Sequence, residues 1–244
     1  ARRDFTMNAM FCAPDGTVYD PFGGWADLKA GHVRFVGEAE ARVQEDYLRL
    51  LRFFRFFARY GRGAPDADAL EAARRHAGQL TTLAAERIHH ELLKFLEAAN
   101  PGPAARVIHE HGILQPVLPE ARHAERLSWL AAIEREQGVE VDPLRRMAAW
   151  LDLREADRLG ERLRLSKKED RRIRALAQPG APVRADMPAR ALRRPLHRLG
   201  PELTRDLYLL DAAERAAAGT RLDTATLAAG LAEIAAWQPK RLPV

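Results

Sequence analysis

The spacing of apolar positions changes near residue 37. Before it, the chain has short β-rich runs that are separated by turn residues. These runs are residues 8–12, 17–20 and 32–36. Asp15 and Gly16 lie between the first two runs, and this dipeptide is typical of a β-hairpin turn. The pattern predicts a strand in each run, and because so few strands leave sheet edges unpaired, we expect further strands upstream.

Beyond residue 37 the apolar positions recur at intervals of three and four, which predicts amphipathic helices. The predicted helices are residues 38–59, 66–76, 84–98, 104–110, 121–136, 143–151, 155–163, 168–177, 189–199, 201–217 and 224–237. Thr81 and Thr82 are the expected N-terminal caps of the third helix. We therefore predict an α+β fold that is mostly α, in which a small sheet remnant precedes an all-helical part.

The Asn-Pro-Gly-Pro sequence at residues 100–103 is typical of a linker between helical segments. Together with the change of pattern near residue 37, it divides the chain into three predicted domains. These domains are residues 1–37, residues 38–99 and residues 100–244.

Composition narrows the class of protein. Of the 244 residues, 47% are hydrophobic and 30% are charged, and no apolar run reaches the about 18 residues of a membrane span. The net charge is +5 with Arg as the main basic residue, which favours an anionic partner. The single Cys12 leaves no disulfide partner and fits a reducing cytoplasm, and we expect it buried on a strand. The first residues lack a signal-peptide pattern and an initiator Met, so we interpret the chain as truncated.

The segment from Glu45 to residue 56 carries the first candidate chemistry. In the predicted helix, Asp46, Arg49 and Arg52 are three residues apart and share one face. Carboxylate acceptors beside guanidinium donors could match the hydrogen-bonding edge of a nucleobase. The same spacing also fits an intrahelical salt bridge on a solvated face, and spacing alone leaves both interpretations open.

The second candidate lies at the start of the chain. Arg2 and Arg3 could bind a triphosphate, and Asp4 could accept a hydrogen bond from a ribose hydroxyl. The alternative is a charged, frayed terminus without a specific role.

Taken in order, these segments closely resemble the motifs of class II tRNA nucleotidyltransferases. The matching sequence is Arg-Arg-Asp at residues 2–4, Asp-Pro-Phe-Gly-Gly at 20–24, Glu-Asp-Tyr-Leu-Arg at 45–49 and Ala-Glu-Arg-Ile at 85–88. The resemblance covers about residues 2–98, and beyond residue 104 it extends only to a variable helical body. It implies that the three predicted domains are the end of a nucleotidyltransferase head, a nucleotide-selecting neck and a tRNA-binding body and tail.

The resemblance also implies roles for individual residues. Arg2 and Arg3 would contact the phosphates of the incoming nucleotide, and Asp4 its ribose. Asp46 and Arg49 would read the edge of cytosine and then of adenine, and Glu45 would hold Arg49 in place. The segment from Asp20 to Arg34 would act as a hinge between head and neck. The residues implied to bind nucleotide are therefore Arg2, Arg3, Asp4, Glu45, Asp46, Arg49 and Arg52.

By this resemblance, the parent enzyme would add or repair the 3′-terminal CCA of tRNA, with tRNA and nucleoside triphosphates as partners, CTP and ATP as substrates and Mg²⁺ as cofactor. The family's metal-binding Asp-x-Asp element precedes the Arg-Arg-Asp motif, and this sequence contains no such element there. Gly23 and Gly24 follow the motif, so they are not the family's glycine turn. We therefore assign no catalytic or metal-binding residue, expect the metal-binding carboxylates upstream and predict that the isolated chain is inactive.

Three alternatives remain open at this point. A bacterial poly(A) polymerase shares the head and neck motifs and would use ATP alone. A specialist that adds only CC or only A fits the same residues. A non-catalytic helical RNA-binding module would need none of the nucleotide contacts.

The helical part offers further candidates. The basic residues predicted to bind RNA are Arg190, Arg193, Arg194 and Arg198, which have few acidic neighbours. The denser basic tract at residues 154–174 is interleaved with acidic residues, which favours a solvated, salt-bridged surface. Trp129, Trp150 and Trp237 fall in apolar stripes and are expected in the core.

Overall fold

The computed structural model describes residues 3–155 and 158–238, so Arg2 lies outside the described residues. The chain forms two compact units. The first comprises Ala1–Ala121 with Arg162–Arg164, and the second comprises Arg122–Glu161 with Leu165–Val244. No helix in the described ranges is long and apolar enough to cross a membrane.

The sheet of the first unit is a single β-hairpin. Strands β1 (Phe11–Cys12) and β2 (Val18–Tyr19) pair antiparallel, as the Asp-Gly turn predicts. Cys12 is exposed, as are the other residues of the two short strands. The prediction that Cys12 is buried is therefore wrong. The prediction of a strand at residues 32–36 is also wrong. In the described residues this segment forms only one isolated β-bridge, between Phe35 and Phe5.

Six helices complete the first unit's regular structure before residue 121. They are α1 (Gly24–Ala30), α2 (Ala39–Glu45), α3 (Leu48–Tyr60), α4 (Ala67–His76), α5 (Ala85–Leu96) and α6 (Gly102–Glu110), with 3₁₀ turns at Thr6–Asn8 and Ala77–Thr82. The prediction that Thr81 and Thr82 cap the N-terminus of α5 is wrong. Their hydroxyls instead donate hydrogen bonds to carbonyl oxygens of the 3₁₀ turn that precedes α5.

The predicted helix at 38–59 is two helices, α2 and α3. The chain is extended at Asp46, with φ −158° and ψ 107°. The Asp46 carboxylate accepts a hydrogen bond from the Leu48 N–H at 3.1 Å, and such side-chain bonds compete with the helical pattern. Apolar periodicity alone does not predict this break, because apolar residues are buried on both sides of it, Val43 before and Leu48 after.

An aromatic cluster forms the core beside the bridge between Phe5 and Phe35. The two rings lie 4.9 Å apart, and Phe53 of α3 lies 6.0 Å from Phe35. Phe5, Phe35, Phe53 and Phe54 are at most 3% exposed. Aromatic pairs at these distances stabilise beyond their buried area. The cluster therefore fixes the start of the chain against α3.

The second unit is helical throughout its described regular structure. The helices that follow α6 in the chain are α7 (Ala124–Glu136), α8 (Pro143–Trp150), α9 (Leu159–Arg162), α10 (Lys167–Ala177), α11 (Arg193–Leu199), α12 (Pro201–Ala217) and α13 (Thr224–Ala236), with 3₁₀ turns at Leu153–Glu155 and Ala189–Leu192. The predicted helices at 155–163 and 189–199 are therefore only partly α-helical; residues 156–157 lie outside the described ranges. The other helices of the second unit form close to their predicted bounds.

Helix α12 lies at the centre of the second unit and packs against α7. Trp150 is fully buried, as predicted, whereas Trp129 and Trp237 are half-buried at the edge of the core. At Gly230 of α13, an added Cβ would lie 2.1 Å from the hydroxyl oxygen of Tyr208. Glycine there allows α13 to approach the buried tyrosine.

The second unit also buries an ionic cluster that sequence patterns do not predict. Glu134, Arg145, Arg146 and Asp206 are each at most 1% exposed. The two carboxylate oxygens of Glu134 lie 2.7 Å from Arg145 and 2.7 Å from Arg146, and Arg145 reaches Asp206 at 3.0 Å. Buried charges are tolerated when they are paired in this way.

Candidate nucleotide-binding site

Asp4 joins the start of the chain to helix α3. Its Oδ1 lies 2.8 Å from Arg49 Nε and its Oδ2 lies 2.6 Å from Arg52 Nη2. Asp4 is 5% exposed, so these ion pairs form largely away from water. The structure thus brings together residues from the two segments that sequence motifs had singled out.

The backbone around Asp4 is fixed by its neighbours. The Asp4 carbonyl accepts a hydrogen bond from Val36 N–H at 2.9 Å. The Thr6 hydroxyl donates to Asp27 Oδ2 at 2.5 Å, and the Phe5 ring is fully buried. The Asp4 side chain is consequently held at the amino-terminal part of α3.

Glu45 binds the other side of the Arg49 guanidinium. Arg49 Nη1 donates both to the Glu45 carboxylate and, at 2.9 Å, to the Arg42 carbonyl. The hydrogen bond from Arg49 holds the pKa of Glu45 below its ordinary value, and Arg42 adds to the effect. Burial lowers the pKa of Arg49, but Glu45 and Asp4 outweigh it, so that pKa lies above its ordinary value.

Asp46 does not pair with Arg49, and the expectation that Asp46, Arg49 and Arg52 share one helical face is wrong. Asp46 stands in the extended break before α3. Its Oδ1 accepts from Leu48 N–H and its Oδ2 accepts from Arg87 Nη2 of α5 at 2.8 Å. The carboxylate is 34% exposed and remains accessible to a ligand.

Side-chain hydrogen bonds hold the segment from Asp20 to Arg34 in place. Asp20 accepts from the backbone N–H groups of Gly24 and Trp25 at 2.7 and 2.9 Å and so caps α1. Arg34 Nε donates to Asp27 at 2.8 Å. A Cβ at Gly24 would lie 2.1 Å from the Thr6 carbonyl oxygen, so only glycine allows this approach to the motif that follows Asp4.

Two arginines that sequence reasoning missed contact the site. Arg42 Nη2 donates to the Arg3 carbonyl at 2.9 Å, and Arg87 donates to Asp46. The i,i+3 spacing of Arg42 and Glu45 is a local signal for the first. Arg87 falls in the Ala-Glu-Arg-Ile match at residues 85–88, but spacing gives no sign of its contact with Asp46, because the two residues are 41 positions apart. The Arg3 side chain is exposed.

The predicted RNA-binding arginines lie in the second unit, and all four are exposed. Arg193 Nε donates a hydrogen bond to Glu233 at 2.7 Å, and this carboxylate partly neutralises the positive charge of Arg193. Arg190, Arg194 and Arg198 are four residues apart, and no acidic partner is found for them within the part of the chain that the structure describes. These three guanidinium groups are thus available to an anion.

The described residues do not fit a metal ion. Within residues 3–155 and 158–238, the structure brings together no group of three or more His, Cys, Asp or Glu side chains that could hold one.

Comparison with known proteins agrees with the motifs. A family model described as "Poly A polymerase head domain" matches residues 1–34. A second, described as "Probable RNA and SrmB- binding site of polymerase A", matches residues 64–125.

The proteins that are similar to this chain include two curated relatives and one solved structure. The mitochondrial CCA tRNA nucleotidyltransferase 1 of Danio rerio is 40% identical over 173 residues, which are 69% of this chain and 39% of that protein. The multifunctional CCA protein of Chromobacterium violaceum is 44% identical over 121 residues, 49% of this chain and 29% of that protein. The crystal structure of the Bacillus stearothermophilus CCA-adding enzyme in complex with CTP has a TM-score of 0.74 at 27% identity, covering 96% of this chain and 57% of that one. The chain thus spans less than two thirds of the length of each of these proteins.

Proposed function

Because this chain belongs to the family of tRNA nucleotidyltransferases and poly(A) polymerases, we propose that it selects nucleotides and binds tRNA for a CCA-adding enzyme. That enzyme would add or repair the 3′-terminal CCA of tRNA from CTP and ATP. In this proposal residues 1–37 end the head, residues 38–99 select the nucleotide, and residues 100–244 bind tRNA.

The contact between Asp4 and Arg49 is the observation that carries the proposal. Two motifs more than 40 residues apart meet at a distance of 2.8 Å, and Glu45 binds the same guanidinium. A guanidinium held by two carboxylates is preorganised to donate hydrogen bonds in a fixed direction. A site with fixed polar groups rejects a base that leaves them unpaired, which gives selectivity without a nucleic-acid template.

In the proposed reaction, the tRNA 3′-hydroxyl attacks the α-phosphate of the bound nucleotide and pyrophosphate leaves. Arg49 and Asp46 would bind the base edge, and Arg2 and Arg3 would bind the triphosphate. Arg52 lies on α3 beside Arg49 and would add positive charge to the nucleotide site. Mg²⁺, for which the described residues form no site, would have to be held by other carboxylates of the enzyme, and it would supply charge neutralisation to the transfer.

An extension assay tests the proposal. A tRNA transcript that ends before CCA is incubated with Mg²⁺, CTP, ATP and the product of the complete reading frame, and the tRNA is analysed by mass spectrometry. We expect addition of C, C and A, and we expect none with the 244-residue chain alone. Addition by the 244-residue chain alone would contradict the predicted inactivity.

Other products would replace this proposal with an alternative. A long adenosine tail identifies a poly(A) polymerase, and addition of only CC or only A identifies a specialist. Retained tRNA binding without any addition by the complete product identifies a helical RNA-binding module. An Asp46→Asn, Arg49→Gln variant separates an enzyme from a binding module, because it abolishes nucleotide selection in an enzyme, whereas in a mere RNA-binding module it hardly alters RNA affinity.

A cytoplasmic location is part of the proposal. The matched relative from Danio rerio is named as mitochondrial, so the compartment needs its own measurement. Fluorescence of a tagged complete protein in its source cells tests it, and concentration of the tag in an organelle would overturn this part.

A further inference from the structure

Helix α10 carries five basic residues, and only two of them are held by carboxylates. Arg172 Nη2 lies 2.7 Å from Asp142 and 2.6 Å from Asp206. Arg174 Nε lies 2.8 Å from Asp170. The other three are exposed and form no ion pair with any residue that the structure describes; they are Lys167, Lys168 and Arg171. The acidic residues interleaved in this tract therefore leave part of the helix positively charged.

The acidic residues of α10 are engaged elsewhere. Glu169 closes a capping box, in which its carboxylate accepts a hydrogen bond from the Ser166 N–H at 2.8 Å. Asp170 Oδ2 accepts from Arg174 Nε. Within the described part of the chain, neither carboxylate pairs with the three exposed cations, so their charge stays uncompensated.

The three unpaired cations, Lys167, Lys168 and Arg171, form one face of the helix, the basic face of α10. An α-helix turns by about 100° per residue, so all three fall within about 100° of its circumference. No acidic residue of α10 falls in that sector. Ile173 and Leu176 lie on the opposite side in the core, where they are 3% and 5% exposed. The basic face thus presents positive charge alone to the surroundings.

Packing holds the basic face in a fixed orientation. Arg172 joins α10 to Asp142, which caps α8, and to Asp206 of α12. Asp206 is buried and also pairs with Arg145 at 3.0 Å. Removing one partner from such a buried network is strongly destabilising. The helix is therefore anchored through one side while the basic face stays outward.

A structural role does not explain the positions of Lys167 and Lys168. They are the first two residues of α10, where the positive end of the helix dipole disfavours cations. Both side chains are exposed, and no ion pair among the described residues compensates for this placement. Residues that oppose a local preference without a structural gain are typical of functional sites.

We propose that the basic face of α10 binds phosphate groups of a double-helical part of tRNA. This inference rests on the proposed function and deepens it, because it names the residues of one RNA-contacting surface within residues 100–244. Lys and Arg side chains neutralise phosphates without reading the base sequence. Helix α10 has no aromatic residue on which an unpaired base could stack, which favours double-helical over single-stranded RNA.

Acetylation of lysines with and without tRNA tests for direct contact. The 244-residue chain is treated with acetic anhydride, alone and with an excess of tRNA, and the acetylation of each lysine is quantified by mass spectrometry. We expect tRNA to lower the acetylation of Lys167 and Lys168 several-fold. Lys29 of α1 is also exposed and serves as the internal control, and its acetylation should be the same with and without tRNA.

Binding of tRNA at several salt concentrations tests the contribution of the basic face to affinity. Changing its three residues to Gln should weaken tRNA binding about tenfold or more at physiological salt. The slope of log K against log salt should fall by about two to three, because each lost phosphate contact removes about 0.7–0.9. The melting temperature should stay at or above the wild-type value, because the variant removes cations from the positive end of the helix dipole.

A matched control variant removes the same number of positive charges from arginines that are held by carboxylates. It changes three exposed arginines to Gln, namely Arg74, Arg184 and Arg221, which pair with Glu71, Asp186 and Glu136. Its salt slope should stay close to that of the wild type.

Several results would overturn the inference. Equal acetylation of Lys167 and Lys168 with and without tRNA excludes direct contact, and this measurement decides the question even where a variant folds poorly. Equal losses of affinity in the two triple variants mean that total charge attracts the tRNA. A single-stranded RNA that protects both lysines as well as tRNA does contradicts the double-helical partner. A wild-type chain that binds no tRNA overturns the proposed tRNA binding itself, and the inference with it.

Discussion

Arg87 Nη2 donates a hydrogen bond to Asp46 Oδ2 at 2.8 Å, so helix α5 contacts the break between α2 and α3. Arg87 is 48% exposed and Asp46 is 34% exposed. The second Asp46 oxygen accepts from the Leu48 N–H. The orientation of this carboxylate is therefore set by Arg87 of α5 together with the first residue of α3.

Replacing Arg87 with Gln should weaken CTP binding by a factor of up to about five, because the exposed ion pair that holds Asp46 contributes at most about 1 kcal/mol. Titration of the complete protein with CTP measures this. Arg74→Gln, which removes an exposed pair with Glu71 on α4, is the control and should have no effect on CTP binding. Stronger CTP binding by Arg87→Gln would mean that Arg87 competes with the base for Asp46.

The exposed arginines Arg190, Arg194 and Arg198 should contribute to tRNA affinity. Changing all three to Gln should weaken tRNA binding. It should also lower the slope of log K against log salt by about 0.7–0.9 for each phosphate that the variant no longer neutralises. Binding measured at several salt concentrations gives both quantities.

The control for this triple variant removes three surface arginines that are held by carboxylates. They are Arg174, Arg184 and Arg221, which pair with Asp170, Asp186 and Glu136. Its salt slope should stay close to that of the wild type. Equal slopes for the two triple variants would show that total charge, and not the predicted patch, attracts the tRNA.

The buried cluster around Glu134 should make a large contribution to stability. Glu134→Gln leaves Arg145 and Arg146 without a charged partner that is 2.7 Å away, and breaking buried pairs costs about 3–5 kcal/mol. Urea unfolding measures the change. Glu136→Gln on the same helix removes an exposed pair with Arg221 and should cost less than about 1 kcal/mol. If both variants lowered the free energy of unfolding by a similar amount, burial would not explain the contribution of the Glu134 cluster.

Tyr208 should make the stability of the second unit depend on alkaline pH. Burial raises the pKa of its hydroxyl from 10.0 to about 12. Since the folded pKa lies above the unfolded value, this stabilisation is fully present below pH 10 and is lost as the pH rises toward 12. Phenolate absorbance should show a step of one tyrosine near pH 12, and Tyr208→Phe should remove that step. A phenolate titration that Tyr208→Phe leaves unchanged in this range would contradict the prediction.

Sequence patterns predicted most helices of this protein because each buries one continuous apolar stripe. Helix α12 forms at its predicted bounds, and α4 begins directly after its capping residue Asp66. The predictions failed where a polar contact interrupts the pattern. At Asp46 a side-chain hydrogen bond ends α2, and at residues 32–36 one bridge replaces a strand.

By itself, the sequence determined the fold class, the hairpin turn, the resemblance of residues 2–98 to a family and the residues that carry its motifs. These follow from local periodicity and from the order of short motifs along the chain. Only the tertiary structure decided which of those residues touch. Asp4 contacts Arg49, and Asp46 contacts Arg87, because packing brings distant segments together. The strength of such ion pairs depends on burial and on the distance between the charged atoms. The spacing of residues along a chain determines neither of these quantities.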